Sequence, residues 1–444
     1  MQARKGDFSQ GRVSAIIVKL GLPIMLAELV HVLYSIVDRM YIGHMASGGT
    51  LALTGLGVCF PLITLIGAFA NLCSTGGATL STIARGEGDE KKAETIMGTA
   101  FTVLLLIGGT LTVLLFLIAP WALGLLGGDE NTLPLALGYF RIYVLGTIPV
   151  LISLGMNPFI NAQGFPRVGM LTVIIGAALN IALDPLFIFA LNLGIQGAAV
   201  ATVLSQTVSA LWALRFLMSD QPPLRLKRLC LDGKQLLAIM KLGVTGFTFK
   251  VTNSLTQAVV NIMLKTWGGP LSALYVGAMS LINSLRVIMS LPVGGLTTAG
   301  QNVMRFNYGA KLYRRVSDSI RFTFLCSLTV NTLMWTLILF MPEPLIRVFS
   351  SDGELIQLTV RCARIYFGAF PFMALQMTGQ STFVALNYPK HALFLSMLRK
   401  IGLVAPLTLL LPGLGFGVEG VFWAEFISQL TGATACFVTM YFLI

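Results

Sequence analysis

Glu28, Asp38, Asp184 and Glu425 lie inside long apolar stretches of this 444-residue chain, away from the loops where carboxylates usually sit. A charged side chain near the middle of a membrane helix costs at least about 2.5 to 3.5 kcal/mol, so each of the four is a candidate for function. Asn180 precedes Asp184 by four residues, which puts both side chains on one face of a helix. Thr202 follows beyond a turn near 191–194. Asp184 and Thr202 are both about eight residues from that turn, which at about 1.5 Å per residue puts them at one depth, roughly 12 Å below it. Asp38 lies roughly 8 Å below the end of its own run by the same rise. Asp38, Asn180, Asp184 and Thr202 therefore predict an all-oxygen cluster, suited to a hard cation such as sodium or to a proton held between two carboxyl groups. Structural readings stand beside this one. Asp38 next to Arg39 reads also as an interfacial ion pair, and Asn180 with Asp184 as braces for a helix interrupted by Pro185.

Bases inside apolar runs are rarer. Lys250 and Arg286 read as the only ones well inside, with Glu28 and Glu425 as their expected partners. Static ion pairs are the competing reading. Tyr34, Phe159, Phe247, Phe249, Tyr275 and Met279 suit a soft, adaptable apolar cleft, although ordinary helix packing accounts for most such residues. His31, three residues after Glu28, is a candidate proton relay.

The elements that must carry these residues follow from composition. Only 11% of residues are charged and 55% are hydrophobic, too few charges to cover the surface of a soluble chain of this length. Apolar stretches of about 20 residues fall near 14–39, 51–82, 95–119, 134–158, 167–191, 195–218, 236–263, 271–299, 318–341, 356–385, 391–412 and 417–442. None alternates with the period of two that a strand barrel needs, so the expected fold is all-α, an integral membrane protein of twelve transmembrane helices. The net charge of +12 resides in short connections. Basic residues mark the start (Arg4, Lys5, Arg12, Lys19) and every second connection (Arg85, Lys91, Lys92; Arg167; Arg225, Lys227, Arg228, Lys234; Lys311, Arg314, Arg315; Lys390), which places both termini in the cytoplasm and argues against a nucleic-acid partner. The first run lacks a cleavage signature and is expected to stay in the mature protein. Six scattered cysteines read as free thiols.

The chain also repeats itself. At an offset of 223 residues Arg141-Ile142-Tyr143 meets Arg364-Ile365-Tyr366, Pro166 meets Pro389, and GIQGAAVATVLSQ meets GVEGVFWAEFISQ; at 222, KLGLP meets KLGVT. Two six-helix halves, 1–218 and 236–444, follow, joined by a basic cytoplasmic linker at 219–235. Six is even, so the halves enter the membrane in the same direction and are related by a pseudo-two-fold axis along its normal, with a central cleft between them. Inverted five-helix repeats are excluded by this parity, and alternating access becomes the leading mechanism. The halves differ in chemistry. Asp184 and Asn180 fall on Leu407 and Leu403, Thr202 falls on Glu425, and Glu28 falls on Lys250.

LGLPIMLAELVHVLYSIVDRMYIG, NPFINAQGFPR, LNIALDPLFIF with GIQGAAVATVLSQ, and FNYGAKLYRRV together resemble the multidrug and toxic compound extrusion (MATE) transporters, over about 14–442. The resemblance implies a secondary antiporter, driven by a proton or sodium gradient and without a cofactor. It would export amphipathic, cationic drugs or toxic organic compounds. Glu28, Tyr34, Lys250, Arg286 and Glu425 are read as substrate-cleft residues from their place on helices expected to line the cleft, whereas the resemblance implies that Asp38, Asn180, Asp184 and Thr202 form the cation-coupling site with Tyr139 beside them. It further implies a monomer in the bacterial inner (plasma) membrane whose partners are the lipid bilayer and a small-molecule substrate. Lipid-linked precursor flippases share the plan and are an alternative. Lys250 and Arg286 depart from the acidic or neutral residues of many members, so an exporter of zwitterionic or anionic metabolites is another. An intramembrane enzyme is disfavoured because the chain has three histidines and no HExxH, GxSxG or P-loop. A passive channel would need a continuous polar pore where the sequence offers isolated charges.

Overall fold

The structure is a computed structural model that describes residues 7–45, 49–227, 229–349 and 352–444. Arg4, Lys5 and Arg228, three of the basic residues used for orientation, lie outside them. The described residues form helices and turns, with no strand among them. The helices are α1 (Val13–Gly43), α2 (Gly49–Gly86), α3 (Glu90–Leu125), α4 (Leu133–Leu145), α5 (Thr147–Ala162), α6 (Pro166–Pro185), α7 (Gly194–Met218), α8 (Gly233–Trp267), α9 (Ser272–Gly309), α10 (Tyr313–Phe340), α11 (Pro342–Arg347), α12 (Gly353–Tyr366), α13 (Met373–Ala385), α14 (Pro389–Met397), α15 (Ala405–Leu410) and α16 (Gly420–Leu443).

Nine of the described helical segments are continuous, long and apolar enough to cross a membrane, and a bent pair makes a tenth. The stretch expected to be one span at 134–158 is two helices, α4 and α5, meeting at 59°. Two residues explain the bend. Pro149 has no N–H to give the carbonyl of Leu145, and Gly146 lies so close to Val203 that an added Cβ would be 2.5 Å from its Cγ2. The stretch 356–385 is likewise broken, between α12 and α13, where Pro371 follows Gly368 and Gly368 packs under the Phe426 ring. In α8, Lys250, Asn253 and Gln257 dilute an otherwise apolar 35-residue helix.

The chain divides into two compact units. The first contains residues 1–11, 22–247 and 305–312; the second contains 12–21, 248–304 and 313–444. Within the first unit, α2 is held by glycine contacts at two places. An added Cβ on Gly76 would collide with the Ile239 carbonyl oxygen, and one on Gly243 with that of Leu72. Gly86 and Gly309 make the same reciprocal contact with the carbonyls of Phe306 and Ile83. Such approach of bare backbones is how membrane helices gain dispersion contact when lipid already satisfies their apolar side chains. Beside the second crossing the Arg85 guanidinium lies over the rings of Phe8 (5.4 Å) and Phe306 (4.9 Å). In the second unit the start of α1 packs likewise, with Gly21 facing the Gly295 carbonyl at 3.4 Å from an added Cβ. Gly21 and Gly243 are the same position of the repeat.

Packing at these glycines predicts a contrast. Gly243→Ala forces two backbones apart and should lower stability by about 1 to 3 kcal/mol, the usual cost of overpacking. Gly57→Ala, at a helix position with nothing within 4 Å, should leave stability unchanged or raise it by up to about 1 kcal/mol. Thermal denaturation of the two purified variants in one detergent checks the difference in Tm.

Candidate functional site

All four expected members of the oxygen cluster lie in the first unit, on α1, α6 and α7. Asp184 is 0% and Asn180 2% exposed; Asp38 and Thr202 are half-buried. The Asn180 amide donates to Asp184 Oδ1 at 3.2 Å and to Thr202 Oγ1 at 3.5 Å. Asp38, from α1, lies beside the Asp184 carboxyl. The structure thus brings Asp38, Asn180, Asp184 and Thr202 together.

The local backbone explains how. Pro185 cannot donate to the carbonyl of Ile181, and the helix continues as a π-helical turn at Leu186–Ala190. The altered turn comes directly after Asp184. Two glycine contacts then clamp α6 to α7. An added Cβ on Gly197 would lie 2.6 Å from the Phe187 carbonyl oxygen, and one on Gly176 would collide with Ser209 Oγ. Ser209 also donates to the Thr172 carbonyl at 3.0 Å. With the helices this close, Asn180 reaches Thr202.

Asp38 Oδ1, Asn180 Oδ1 and Asp184 Oδ2 are buried acceptors with no hydrogen-bond donor among the described residues. Each such atom costs about 1 to 3 kcal/mol if left unsatisfied. Three acceptors in one cluster form the donor set that a hard cation or a bound proton satisfies. Oxygen ligands and two carboxylates fit sodium by chemistry, and the same atoms fit a proton. Among the described residues no group of three His, Cys, Asp or Glu side chains is placed to ligate a metal, so the carboxamide and hydroxyl are needed to complete a set.

Two tyrosines lie near the carboxyls, and a third stacks on one of them. Tyr139 is buried, stacks on Tyr143 with ring centroids 6.0 Å apart, and lies within Coulombic reach of Asp38. Tyr34, expected in the substrate cleft, lies within Coulombic reach of both Asp38 and Asp184, with His31 edge-on to its ring at 5.1 Å. Tyr143 escaped the sequence reading, although its place one turn after Tyr139 on the same helix face was a usable signal. Glu28 on α1 is exposed, within the first unit, as is Lys250 on α8, within the second.

Glu425 has a different environment from the one expected. It is 5% exposed on α16, and its partners are Arg399 (Nη1 to Oε1, 3.0 Å) and Lys400 (Nζ to Oε1, 3.7 Å). Arg286, the expected partner, is within Coulombic reach of Glu425 and places its Nε 3.4 Å from Asn283 Oδ1. The expectation that Lys250 and Arg286 are the only bases well inside spans is therefore corrected. Arg399 and Lys400 sit about ten residues into the helix that begins at Pro389, near mid-membrane at about 1.5 Å per residue. Their position in the run was the signal available. All six cysteines are free.

A family model described as MatE matches residues 23–186 and again 251–410, most of the chain in two stretches. The multidrug export protein MepA of Staphylococcus haemolyticus is 22% identical over 98% of this chain and 95% of its own length. MepA of Staphylococcus aureus is 23% identical with the same coverage. Among solved structures, an outward-facing multidrug resistance MATE transporter of the MOP superfamily superposes with a TM-score of 0.91 at 20% identity, covering 100% of this chain and 98% of that one. A MOP superfamily transporter from Pyrococcus furiosus, described as having a binding pocket of reversed polarity, also gives 0.91 at 20% identity and the same coverage. The fold is the twelve-helix membrane fold of these proteins, in two six-helix halves. Matched over both halves of its length, the chain belongs to the MATE family, and is a multi-pass membrane transporter of small molecules rather than an enzyme.

Proposed function

We propose that the protein is a cation-coupled antiporter that exports amphipathic organic compounds, with Asp38, Asn180, Asp184 and Thr202 as the coupling site. The observation that carries this reading is the Asp38–Asp184 contact surrounded by acceptor oxygens without donors. A site that binds its cation through two carboxyls changes its local charge by one unit on loading. In a medium of low dielectric that change is large enough to bias two arrangements of the surrounding helices. Tyr34 and Tyr139 border the pair. The cation enters from outside, the halves 1–218 and 236–444, joined by 219–235, rock about the substrate, and release of the cation inside resets the site. Both termini are cytoplasmic in this arrangement, in a plasma membrane, and one chain is sufficient for the cycle.

Cationic drugs are the favoured substrates. The named relatives are multidrug export proteins, and Glu28 and the acidic pair of the first unit attract positive charge. A second reading, export of zwitterionic or anionic compounds, is favoured by the excess of bases around Glu425.

Asp184→Asn and Asp38→Asn should each abolish uphill efflux while the protein still inserts and purifies as a single species. The measurement is accumulation of a fluorescent cation by inverted proteoliposomes under an imposed proton gradient in sodium-free buffer, and under a sodium gradient without a pH difference. Gradient-dependent transport retained by both variants would overturn the coupling assignment, and whichever gradient drives the wild type identifies the ion. Asn180 and Thr202 predict a graded effect. Asn180→Ala removes the amide that orients Asp184 and should raise the half-saturating concentration of the driving cation about tenfold or more, as expected for one hydrogen bond to a charged group. Thr202→Ser keeps its oxygen and should match the wild type in the same titration.

A further inference from the structure

Arg399 and Lys400 are consecutive residues on a π-helical stretch, Leu398–Val404, between α14 and α15. Both bases face Glu425. The Arg399 guanidinium, the Lys400 ammonium and the Gln429 amide (Nε2, 3.4 Å) all converge on one carboxylate oxygen, Glu425 Oε1. Arg286 adds a third base within Coulombic reach of Glu425 and Lys400, and the buried Tyr366 is within reach of Glu425, Arg286 and Arg399. One carboxylate thus faces three bases, within a single compact unit. The Lys400 ammonium has three N–H donors, and the carboxylate oxygen it faces is 3.7 Å away, beyond a short hydrogen bond. Its side chain is 10% exposed.

The repeat shows that space was made for these bases. Arg399 occupies the position of Gly176, and the residue facing it, Gly432, occupies that of Ser209. In the first unit the bare Gly176 backbone accepts the Ser209 side chain; in the second, the bare Gly432 backbone accepts the Arg399 side chain, whose Cγ would be 2.8 Å from an added Cβ. Tyr366 is the counterpart of Tyr143, while Asp184 and Asp38 have the apolar counterparts Leu407 and, at the offset of 222, Val260. The helix that carries Asp184 in one half has a counterpart that carries Arg399 and Lys400 in the other.

We propose that Arg399, Lys400 and Arg286 form an anion-binding site in the carboxy-terminal half, which receives the carboxylate or phosphate group of an amphipathic substrate. A surplus of positive charge near mid-membrane is costly without a counter-ion, and Glu425 neutralises one of the three bases. The proposal rests on the export reading for the identity of its ligand, but binding requires no gradient.

Two xanthene dyes of opposite charge, carboxyfluorescein (anionic) and tetramethylrhodamine methyl ester (cationic), separate the possibilities by fluorescence anisotropy with the protein in phosphatidylcholine nanodiscs. The wild type should bind carboxyfluorescein saturably. Lys400→Met should raise its Kd about tenfold or more, the loss of one charge-assisted hydrogen bond, and leave that of the cationic dye within about twofold. Lys400→Arg should retain anion binding. Gly432→Ala, which pushes on Arg399 without removing a charge, should weaken it. Phosphatidylglycerol in the nanodisc that displaces carboxyfluorescein would identify a lipid headgroup as the anion; no displacement would identify a soluble substrate. Absence of saturable carboxyfluorescein binding to the wild type, or equal weakening of both dyes in Lys400→Met, overturns the proposal. Gradient-driven efflux of the cationic dye by the wild type tests the export reading separately.

Discussion

The cost of an unsatisfied charge in a bilayer governs the layout of this molecule. An apolar helix needs only its own hydrogen bonds to cross the membrane, so most of the chain is free of further constraint. Where a carboxylate or a base enters the apolar layer, the protein must supply a partner, a route to water or a ligand. The sequence places such groups on few helices, and the structure gathers those of α1, α6 and α7 into one cluster and those of α16 and the stretch after α14 into another. The two clusters solve the problem differently. The first joins two acids and leaves acceptors over; the second sets three bases around one acid and leaves donors over.

Both solutions depend on departures from regular helix. Pro185 and the π turn after it follow Asp184, and a longer π stretch carries Arg399 and Lys400. A π turn widens the helix and releases backbone groups, which is unfavourable in an isolated helix and tolerated where a packed neighbour compensates. The compensation is visible in the glycines. Gly176 and Gly197 hold α7 against α6, and Gly432 allows α16 to pass beneath the Arg399 side chain. A glycine in these helices loses about 1 kcal/mol of helix propensity relative to alanine, which the closer contact of two helices offsets. Gly21 and Gly243, one position of the repeat, serve the same end at the start of α1 and of α8.

A repeated scaffold with opposite charge in its two halves has a consequence for substrate choice. Equivalent positions in the two halves see similar depth and similar neighbours, so exchanging Asn180 and Asp184 for leucines, and Gly176 for arginine, alters electrostatics while leaving the helix frame intact. Potentials of opposite sign in one molecule suit amphipathic compounds that carry both charges, or cations and anions taken in different steps. Specificity would then follow from the unmatched group, because a buried donor or acceptor left without a partner penalises the wrong ligand more than apolar contact rewards the right one.

What the sequence determined by itself is the part of this structure that local chemistry dictates. Runs of about 20 apolar residues permit only helices, the 223-residue offset reveals the duplication, and the spacing of Asp184 and Thr202 from the turn between them puts both at one depth, because rise per residue is a property of the backbone alone. Other features escaped that reading. The bend between α4 and α5 and the break before α13 depend on whether a proline or glycine meets a neighbour that makes the irregularity worthwhile, as Val203 does at Gly146 and Phe426 at Gly368. The partners of Glu425 depended on which residues of the stretch after α14 meet α16, and Arg399 and Lys400 both do. Tertiary structure also decided that Tyr34 lies beside the acidic pair, since a residue four positions from Asp38 shares its helix face but not its depth. Depth and face are local and can be counted; the choice of which faces meet is made by packing between segments far apart in the chain, and no local period encodes it.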